Sequence, residues 1–350
     1  MQYEYTMPQN IFEENGEVMC AGWAKKPYFN FNKELSKQNK HIKESVSYFL
    51  STGEVSLYIS TENSGLDFYI KIALANLKNG NVISDFAYKK QLLGRTELPE
   101  SKESGQLVFS DKRIEFAVVK VKNERTVKCN FYDFGGKADL SFEFNIDDKS
   151  GDILDQVAPF ERDRKYFYFK RFMPVFSASG TIKVGKSQYT LKEENTSVYI
   201  DSTYYSKPRL HSYQRLTADY MRGENRFSLN LASRVGDNRN GSENSFFLNG
   251  ELHKLYKIEV KNNDGRIDRP WYFKGGIEAV DITFKPNKIG DKAMVAQMDN
   301  TSVTFGVLFG KLKRYDYDAP LVLDNIPAHM VFNLSLIHIS EPTRLQLISY

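Results

Sequence analysis

LSFEFNI, at residues 140–146, decides the fold class, because apolar and polar residues alternate strictly along it. A period of two directs the apolar side chains to one face of a β-strand and the polar side chains to the other. The same alternation returns at residues 227–231, 256–260 and 280–284. These stretches predict strands that have one face on a core and one polar face.

The rest of the chain strengthens an all-β prediction. Further stretches with strand composition lie at residues 55–60, 68–72, 114–121, 166–169, 197–201 and 303–309. Asn249-Gly250, within SFFLNGELHKL at residues 245–255, is the strongest hairpin signal, because both residues tolerate a positive φ. Residues 32–50 have a passable helical pattern, but residues 45–49 suit a strand equally well. Many short strands with almost no helix predict an all-β sandwich or barrel.

Length and composition indicate two β units. The chain has 350 residues, and 48 Lys and Arg against 44 Asp and Glu give a net charge of +4. Aromatic residues make up 14%, mostly 25 Phe and 21 Tyr, and such side chains favour strands. These values exclude a disordered chain, a collagen-like fibre and a disulfide miniprotein. We expect barrel-like domains at residues 1–206 and 207–333, with a soft boundary at Lys207-Pro208.

The ends of the chain and its cysteines bear on its compartment. The acidic start has no basic segment followed by an apolar run, so we expect no signal peptide, and no stretch is apolar enough for a membrane helix. Cys20 and Cys129 cannot form a disulfide framework, so we expect a cytoplasmic protein. LSLIHISEPTR, at residues 334–344, resembles a translated sequencing adapter. We therefore treat residues 334–350 as an artefactual tail.

The sequence contains no familiar catalytic motif. Nucleophile-elbow, dinucleotide-binding, P-loop and zinc-protease patterns are all missing. Four histidines precede the tail and none lies within five residues of another, so we expect no metal and no cofactor: His41, His211, His253 and His329. The basic run at residues 162–171 is interpreted as a solvated strand face, and we expect no nucleic-acid partner.

Polar residues next to apolar strands are the better candidates for a site. Glu243, Asn244 and His253 flank the predicted hairpin, where a buried charge is retained only for a partner or a ligand. A hydrogen-bonded structural network is the favoured interpretation. Lys43 and Glu44 suit an exposed ion pair at an element end. Trp23 and Trp271 are more typical of core anchors than of ligand platforms.

Several blocks resemble the bacterial family called domain of unknown function 2804. They are GWAKKP at 22–27, KE at 43–44, SENSFFLNGELHKL at 242–255, PW at 270–271, VDITFKP at 280–286, and the pairs Phe305-Gly306 and Phe309-Gly310. The resemblance covers about residues 8–333, and the block after Ser242 is the most specific. The chain departs from the family at Ser45, where the family usually has Trp, and near Asp201, where tyrosines replace a Trp-rich stretch.

The resemblance implies a fold but no assigned activity. The family is similar to tandem lipocalin-like β-barrels, which occur in carotenoid hydratases, a ceramide-handling stress protein and some pericyclases. In those proteins a barrel, or the seam between barrels, accommodates an apolar molecule. We therefore expect two tandem lipocalin-like antiparallel barrels or sandwiches; the ligand and the oligomeric state stay open.

Three functions remain open at this level. The first is binding of a hydrophobic small molecule or lipid in a barrel cavity, with ligand contacts from Trp23, Lys43, Tyr48, Asn244 and Trp271. The second is a hydratase or isomerase acting on an apolar substrate, which needs a buried acid with a shifted pKa; its candidates are Glu243, Glu44 and His253. Glu243→Gln should then abolish turnover without lowering the Tm. A glycan-binding sandwich ranks last.

Overall fold

The computed structural model describes most of the chain before residue 334. The described ranges are 2–90, 104–147, 151–160, 163–206, 213–222, 225–233, 241–255, 257–262, 265–276, 279–314 and 319–333. Within them the chain forms β-strands and two short 3-10 turns, Lys33–Leu35 and Asn39–His41, and no α-helix. No helix in these ranges has the length and hydropathy needed to cross a membrane.

The strands are numbered in chain order. The first fifteen are β1 Gln9–Asn10, β2 Gly22–Ala24, β3 Phe29–Asn30, β4 Lys43–Ser51, β5 Val55–Asn63, β6 Asp67–Asn76, β7 Val82–Lys90, β8 Ser104–Ser110, β9 Ile114–Val121, β10 Glu124–Phe134, β11 Ala138–Asp147, β12 Leu154–Phe160, β13 Asp163–Val184, β14 Ser187–Leu191 and β15 Ser197–Ser206. The others are β16 Tyr213–Arg222, β17 Asn225–Ser233, β18 Ser245–Leu248, β19 Glu251–Lys254, β20 Ile258–Lys261, β21 Trp271–Gly275, β22 Val280–Pro286, β23 Lys288–Ile289, β24 Lys292–Ala293, β25 Val295–Met298, β26 Thr301–Leu312 and β27 Leu321–Asn333.

The first curled sheet is antiparallel and has the order β7-β6-β5-β4-β15-β13-β11-β10-β9-β8. β12 pairs with the first part of β13 and with β2, and β14 pairs with the last part of β13. Alternate residues face the interior, as Val46, Tyr48 and Leu50 do on β4. Phe68 of β6 and Phe131 and Phe134 of β10 complete this core.

The second curled sheet is also antiparallel, with the order β19-β18-β17-β16-β27-β26-β22-β21-β20, and β25 adds to β26. Its first and last long strands, β16 and β27, are hydrogen-bonded neighbours, so the ends of this unit meet. Leu216, Phe246, Trp271 and Met330 belong to its interior core. This arrangement confirms the predicted all-β fold of two tandem lipocalin-like half-barrel sheets.

The two sheets pack against each other along a surface that we call the seam. Its apolar part combines Phe49 and Tyr199 of the first sheet with Phe247, Phe305 and Val331 of the second. Two hydrogen bonds also cross it, because Lys71 Nζ donates to Asn300 Oδ1 at 2.9 Å and to Thr301 Oγ1 at 3.0 Å. The polar side chain of Lys71, which alternation alone would place in water, is therefore buried between the two sheets.

Some of the local predictions are confirmed, one is wrong, and two lie outside the described residues. The hairpin is confirmed, since β18 and β19 flank Asn249 and Gly250, whose φ angles are +51° and +86°. At residues 32–50 the strand alternative is confirmed and the helical one is wrong: two 3-10 turns precede a strand that begins at Lys43, because alternation from there outweighs the weak helical periodicity. The predicted domain boundary at Lys207-Pro208 and the tail at residues 334–350 lie outside the described residues.

Candidate functional site

Four charged side chains meet at the seam. Lys170 lies on β13, Asp201 on β15, Arg215 on β16, and Glu243 in the segment 241–244 before β18. Their exposed fractions are 0%, 4%, 8% and 1%, respectively. Burying charges is costly unless they are paired, so this ionic cluster has to satisfy itself internally.

Strand register explains why these residues meet. Phe172 is paired with Asp201 across β13 and β15, and Lys170 lies two residues before Phe172 on the same face. On β16, Leu216 and Ala218 point into the second core, so Arg215 points to the seam.

A close backbone approach sets the position of Glu243. Gly241 packs so tightly against Gly22 that a Cβ there would lie 2.9 Å from the Gly22 backbone. Gln156 Nε2 also donates to the Gly241 carbonyl at 3.0 Å. The segment 241–244 is therefore held against the first sheet, and it carries the Glu243 carboxylate into the seam.

Short hydrogen bonds connect the cluster. Lys170 Nζ donates to Asp201 Oδ2 at 2.9 Å, to Glu243 Oε2 at 2.7 Å and to Asn230 Oδ1 at 3.0 Å. Arg215 donates from Nε to Glu243 Oε2 at 2.9 Å and from Nη1 to Asp201 Oδ2 at 3.0 Å. Its Nη2 donates to the Tyr168 hydroxyl. Two cations and two anions thus form one buried, charge-balanced network.

The electrostatics of Glu243 do not suit a general acid. Burial alone would raise the pKa of Glu243, but Arg215 and Lys170 outweigh it and hold that pKa well below its ordinary value. The carboxylate therefore stays ionised at neutral pH. The sequence-based hypothesis needed a buried acid that protonates or deprotonates the substrate; the two cations that contact the Glu243 oxygens favour the ionised form, and the catalytic role stays a prediction.

Tyrosine hydroxyls surround the ionic cluster. Tyr168 and Tyr199 are buried, whereas Tyr205 and Tyr213 are partly exposed. Burial raises the pKa of Tyr168, Tyr199 and Tyr205 well above the ordinary value, and it raises the pKa of Tyr213 despite the nearby Arg215. These hydroxyls therefore stay protonated at neutral pH.

One edge of the seam is polar and partly accessible. Ser45 and Ser47 on β4 are both half-buried on the seam face. Ser47 Oγ donates to Ser60 Oγ at 3.0 Å and lies 3.4 Å from the Tyr58 hydroxyl. From the second sheet, Asn333 is buried on the strand beside Tyr213, and its Oδ1 has no hydrogen-bond partner within the described part of the chain.

His329 is buried deeper in the seam. Its ring is stacked on Phe49 with a centroid distance of 3.9 Å, and its Nε2 lies 2.7 Å from the Tyr199 hydroxyl. Burial, with a smaller effect of Arg215, lowers the pKa of His329 to about 3. Its Nδ1 makes no hydrogen bond to any residue that the structure describes. His329 is therefore a neutral imidazole with one unused ring nitrogen.

Acid should unfold the protein partly through His329. Between its folded pKa of about 3 and its ordinary value of 6.5, only the unfolded chain binds the proton. Stability should therefore fall as the pH drops through this window, by up to about 1.4 kcal/mol per pH unit. Urea unfolding at several pH values measures how the free energy of unfolding changes with pH. This pH dependence should be weaker in His329→Gln than in the wild type, whereas His41→Gln, at an exposed position, should leave it unchanged. An unchanged slope in His329→Gln would contradict this assignment.

The structure places the residues proposed from the sequence in different parts of the molecule. Glu243, Asn244 and Trp23 lie at or beside the seam, where Asn244 Oδ1 accepts from the Ala232 amide at 2.9 Å. Tyr48 points into the first core, and its hydroxyl accepts from Arg125 Nη1 at 3.2 Å.

His253 and Trp271 belong to the second interior. His253 stacks on Phe246 at a centroid distance of 4.8 Å, and Trp271 lies in the same core as Phe246. Burial lowers the pKa of His253. The eight sequence candidates therefore do not form one site.

The expected pairing of Lys43 with Glu44 is wrong. Adjacent strand residues point to opposite faces, so each finds another partner. Lys43 Nζ lies 3.3 Å from Glu62 Oε1, and Lys33 Nζ lies 2.9 Å from Glu44 Oε1.

Sequence reasoning missed Lys170, Asp201, Arg215 and Asn230 as site residues. The solvated-face interpretation of residues 162–171 is wrong for Lys170, because a second sheet covers that face. A usable signal was present: Lys170 interrupts an aromatic strand, as Glu243 interrupts the block before β18.

Fold and site together define the class: an all-β protein of two tandem lipocalin-like half-barrels with an ionic cluster between them. The chain belongs to the family described as Domain of unknown function (DUF2804), whose model matches residues 2–329. No curated protein matches the sequence.

Solved structures share this fold at low identity. Kievitone hydratase from Nectria haematococca is 10% identical with a TM-score of 0.54, covering 94% of this chain and 99% of its own. CghA is 10% identical with a TM-score of 0.53, covering 96% and 98%. A structure of CghA with Sch210972 has a TM-score of 0.50 at 10% identity, covering 85% and 89%. At this identity the likeness concerns the fold alone.

Proposed function

We propose that this protein binds a small, mainly apolar molecule with a polar group at the edge of the seam. The observation that carries the proposal is the row of half-buried hydroxyls of Ser45, Ser47, Tyr205 and Tyr213 beside the buried ionic cluster. Apolar walls with a few well-placed polar groups are typical of small-molecule sites.

The interior of the first barrel is a weaker candidate. Phe68, Phe131 and Phe144 have 0% exposed surface there, which is typical of side chains that fill a core and do not line an open space. A ligand in that interior would have to displace packed rings. For this reason we favour the seam over the barrel cavity that the sequence suggested.

The seam offers hydrogen-bond donors and acceptors to a guest. Tyr205 and Tyr213 remain protonated because burial raises their pKa values. Asn333 Oδ1, which is buried and lacks a partner among the described residues, would gain one from a hydroxyl on the guest. An unsatisfied buried acceptor costs about 1–3 kcal/mol, so such a contact would favour binding.

Extraction of the purified full chain tests the proposal. Organic extraction followed by mass spectrometry should recover a specific apolar compound from the wild type. Ser47→Trp fills the edge of the seam and should reduce recovery by about tenfold or more, because a seam guest and the indole cannot share that space. Ser187→Trp, on the exposed start of β14, should leave recovery unchanged. Recovery of no compound, or full recovery from Ser47→Trp, would reject seam binding.

A hydratase or isomerase activity on such a molecule is the second candidate. One observation favours it: burial raises the pKa of Tyr199, and His329 lies 2.7 Å from the Tyr199 hydroxyl, so a protonated hydroxyl is held in a fixed position inside the seam. Kievitone hydratase has a similar fold. Incubating the recovered compound with the protein in heavy-oxygen water tests it. A labelled product that His329→Gln fails to form would support hydration; an unlabelled, unchanged compound would argue for binding alone.

A further inference from the structure

Lys254, at the end of β19, is partly buried and has no counterion among the residues that the structure describes. Its Nζ donates to the Ser242 carbonyl and lies 5.6 Å from the centre of the Trp23 ring. Among the residues that the structure describes, no carboxylate oxygen lies within 4.0 Å of this amine. Lys170, in contrast, contacts two carboxylates. Burial lowers the pKa of both lysines, but the two carboxylates in contact with Lys170 favour its charged form.

Physical chemistry favours the neutral amine at Lys254. A desolvated ammonium without a counterion is costly, and the nearby Lys170 cation adds repulsion. Two charged groups face the amine, Glu243 from the segment 241–244 and Lys170 from β13. Desolvation is the largest effect and lowers the pKa of Lys254 to about 7. Near neutral pH about half of this side chain is uncharged, against fewer than about one in a thousand for an ordinary lysine.

The surroundings suit a nucleophile more than a structural group. The neutral amine gives one N–H to Ser242 and keeps its lone pair. Trp23, whose ring centre lies 5.6 Å from Nζ, and Leu252 belong to one buried apolar cluster. Gln156 is paired with Trp23 across the strands, and its buried Oε1 has no partner within the described ranges. Lys254 itself is partly exposed, so a small molecule can reach it.

We propose that Lys254 is a covalent capture site for small aldehydes, which it binds as a reversible imine. The Nζ lone pair attacks the carbonyl carbon and gives a carbinolamine, whose hydroxyl can donate to Gln156 Oε1. Loss of water, made from the carbonyl oxygen and two amine hydrogens, then forms the C=N bond. A lysine that is desolvated or placed beside another cation is a known route to such a nucleophile. The inference does not depend on the proposed seam ligand, because it uses none of the hydroxyls of Ser45, Ser47, Tyr205 and Tyr213.

Trapping with hexanal and cyanoborohydride tests this site on the full chain. Peptide mass spectrometry should find Lys254 alkylated about tenfold or more faster than exposed Lys257 or Lys274 near neutral pH. The preference should shrink towards pH 10, because the exposed amines then also lose their protons. Alkylation of Lys254 at or below the rate of Lys257, or faster alkylation of another lysine, would overturn the proposal.

A second measurement separates reactivity from accessibility. After reductive methylation with a carbon-13 label, the NMR signal of Lys254, assigned by its absence in Lys254→Arg, should titrate near pH 7. A titration near the ordinary lysine value would overturn the proposal. Thermal unfolding of Lys254→Arg checks that the variant is folded, since arginine can still donate to the Ser242 carbonyl.

Discussion

Glu243→Gln should lower the free energy of unfolding by about 3–5 kcal/mol, because it removes one anion from a buried network and leaves two cations facing a single carboxylate. Gln has almost the same shape as Glu, so the loss reflects charge and hydrogen bonding rather than a cavity. Lys170 Nζ and Arg215 Nε would both lose their ionic contact with the same oxygen, Oε2. Urea denaturation, monitored by tryptophan fluorescence, measures the change.

Glu251→Gln is the matched control for this substitution. Glu251 lies eight residues further along the chain on β19, where 60% of its side chain is exposed. Its replacement should change stability by less than about 0.5 kcal/mol. Equal stabilities of Glu243→Gln and the wild type would contradict the structural assignment. Glu243 would then be a candidate for the catalytic role that the sequence suggested, in which Glu243→Gln abolishes turnover and leaves the Tm unchanged.

Arg215→Leu should have a similar effect, again about 3–5 kcal/mol, because Asp201 and Glu243 would then share only Lys170. The variant also loses the hydrogen bond to the Tyr168 hydroxyl. Arg215→Leu combined with Glu243→Leu should destabilise the protein by about 2 kcal/mol or more less than the sum of the two single changes. The double variant removes both partners of the ion pair, so neither is left buried without the other. A double-mutant cycle in urea measures this coupling.

Arg266→Leu provides the comparison for Arg215. Arg266 makes two hydrogen bonds to Asp268, at 2.9 and 2.7 Å, but 55% of its side chain is exposed. Solvent weakens such a surface pair, so its loss should cost less than about 1 kcal/mol. If Arg215→Leu costs no more than Arg266→Leu, or if the cycle shows additivity, the seam network is not a cooperative unit.

Alternation predicted the strands well but misassigned one of their faces. Asn230 and Ser228 alternate with Leu229 and Leu231, a pattern that normally indicates water on the polar side. In the structure that polar side faces the other sheet, and both polar residues are 0% exposed. A single strand carries no record of what covers it, because the covering residues come from a different sheet. The same reason explains the misinterpretation of Lys170.

The site was only partly accessible to sequence reasoning because its members are distant in the chain. Glu243 stood out as a charge beside an apolar run. Its partners Lys170 and Arg215 are 73 and 28 residues away, and their contacts follow from the docking of two sheets. Local periodicity fixes which way a side chain points, whereas the docking geometry fixes what it meets.

The sign pattern of the ionic cluster bears on how the two halves come together. Lys170 and Asp201 come from the first half, and Arg215 and Glu243 from the second, so each half brings one positive and one negative group. Docking therefore joins two local dipoles instead of two opposite monopoles. Such an encounter gains little from long-range attraction, and its rate should depend only weakly on ionic strength. Specificity at this junction therefore depends on short-range contacts between the two sheets. A shift of one residue along a strand would break these contacts.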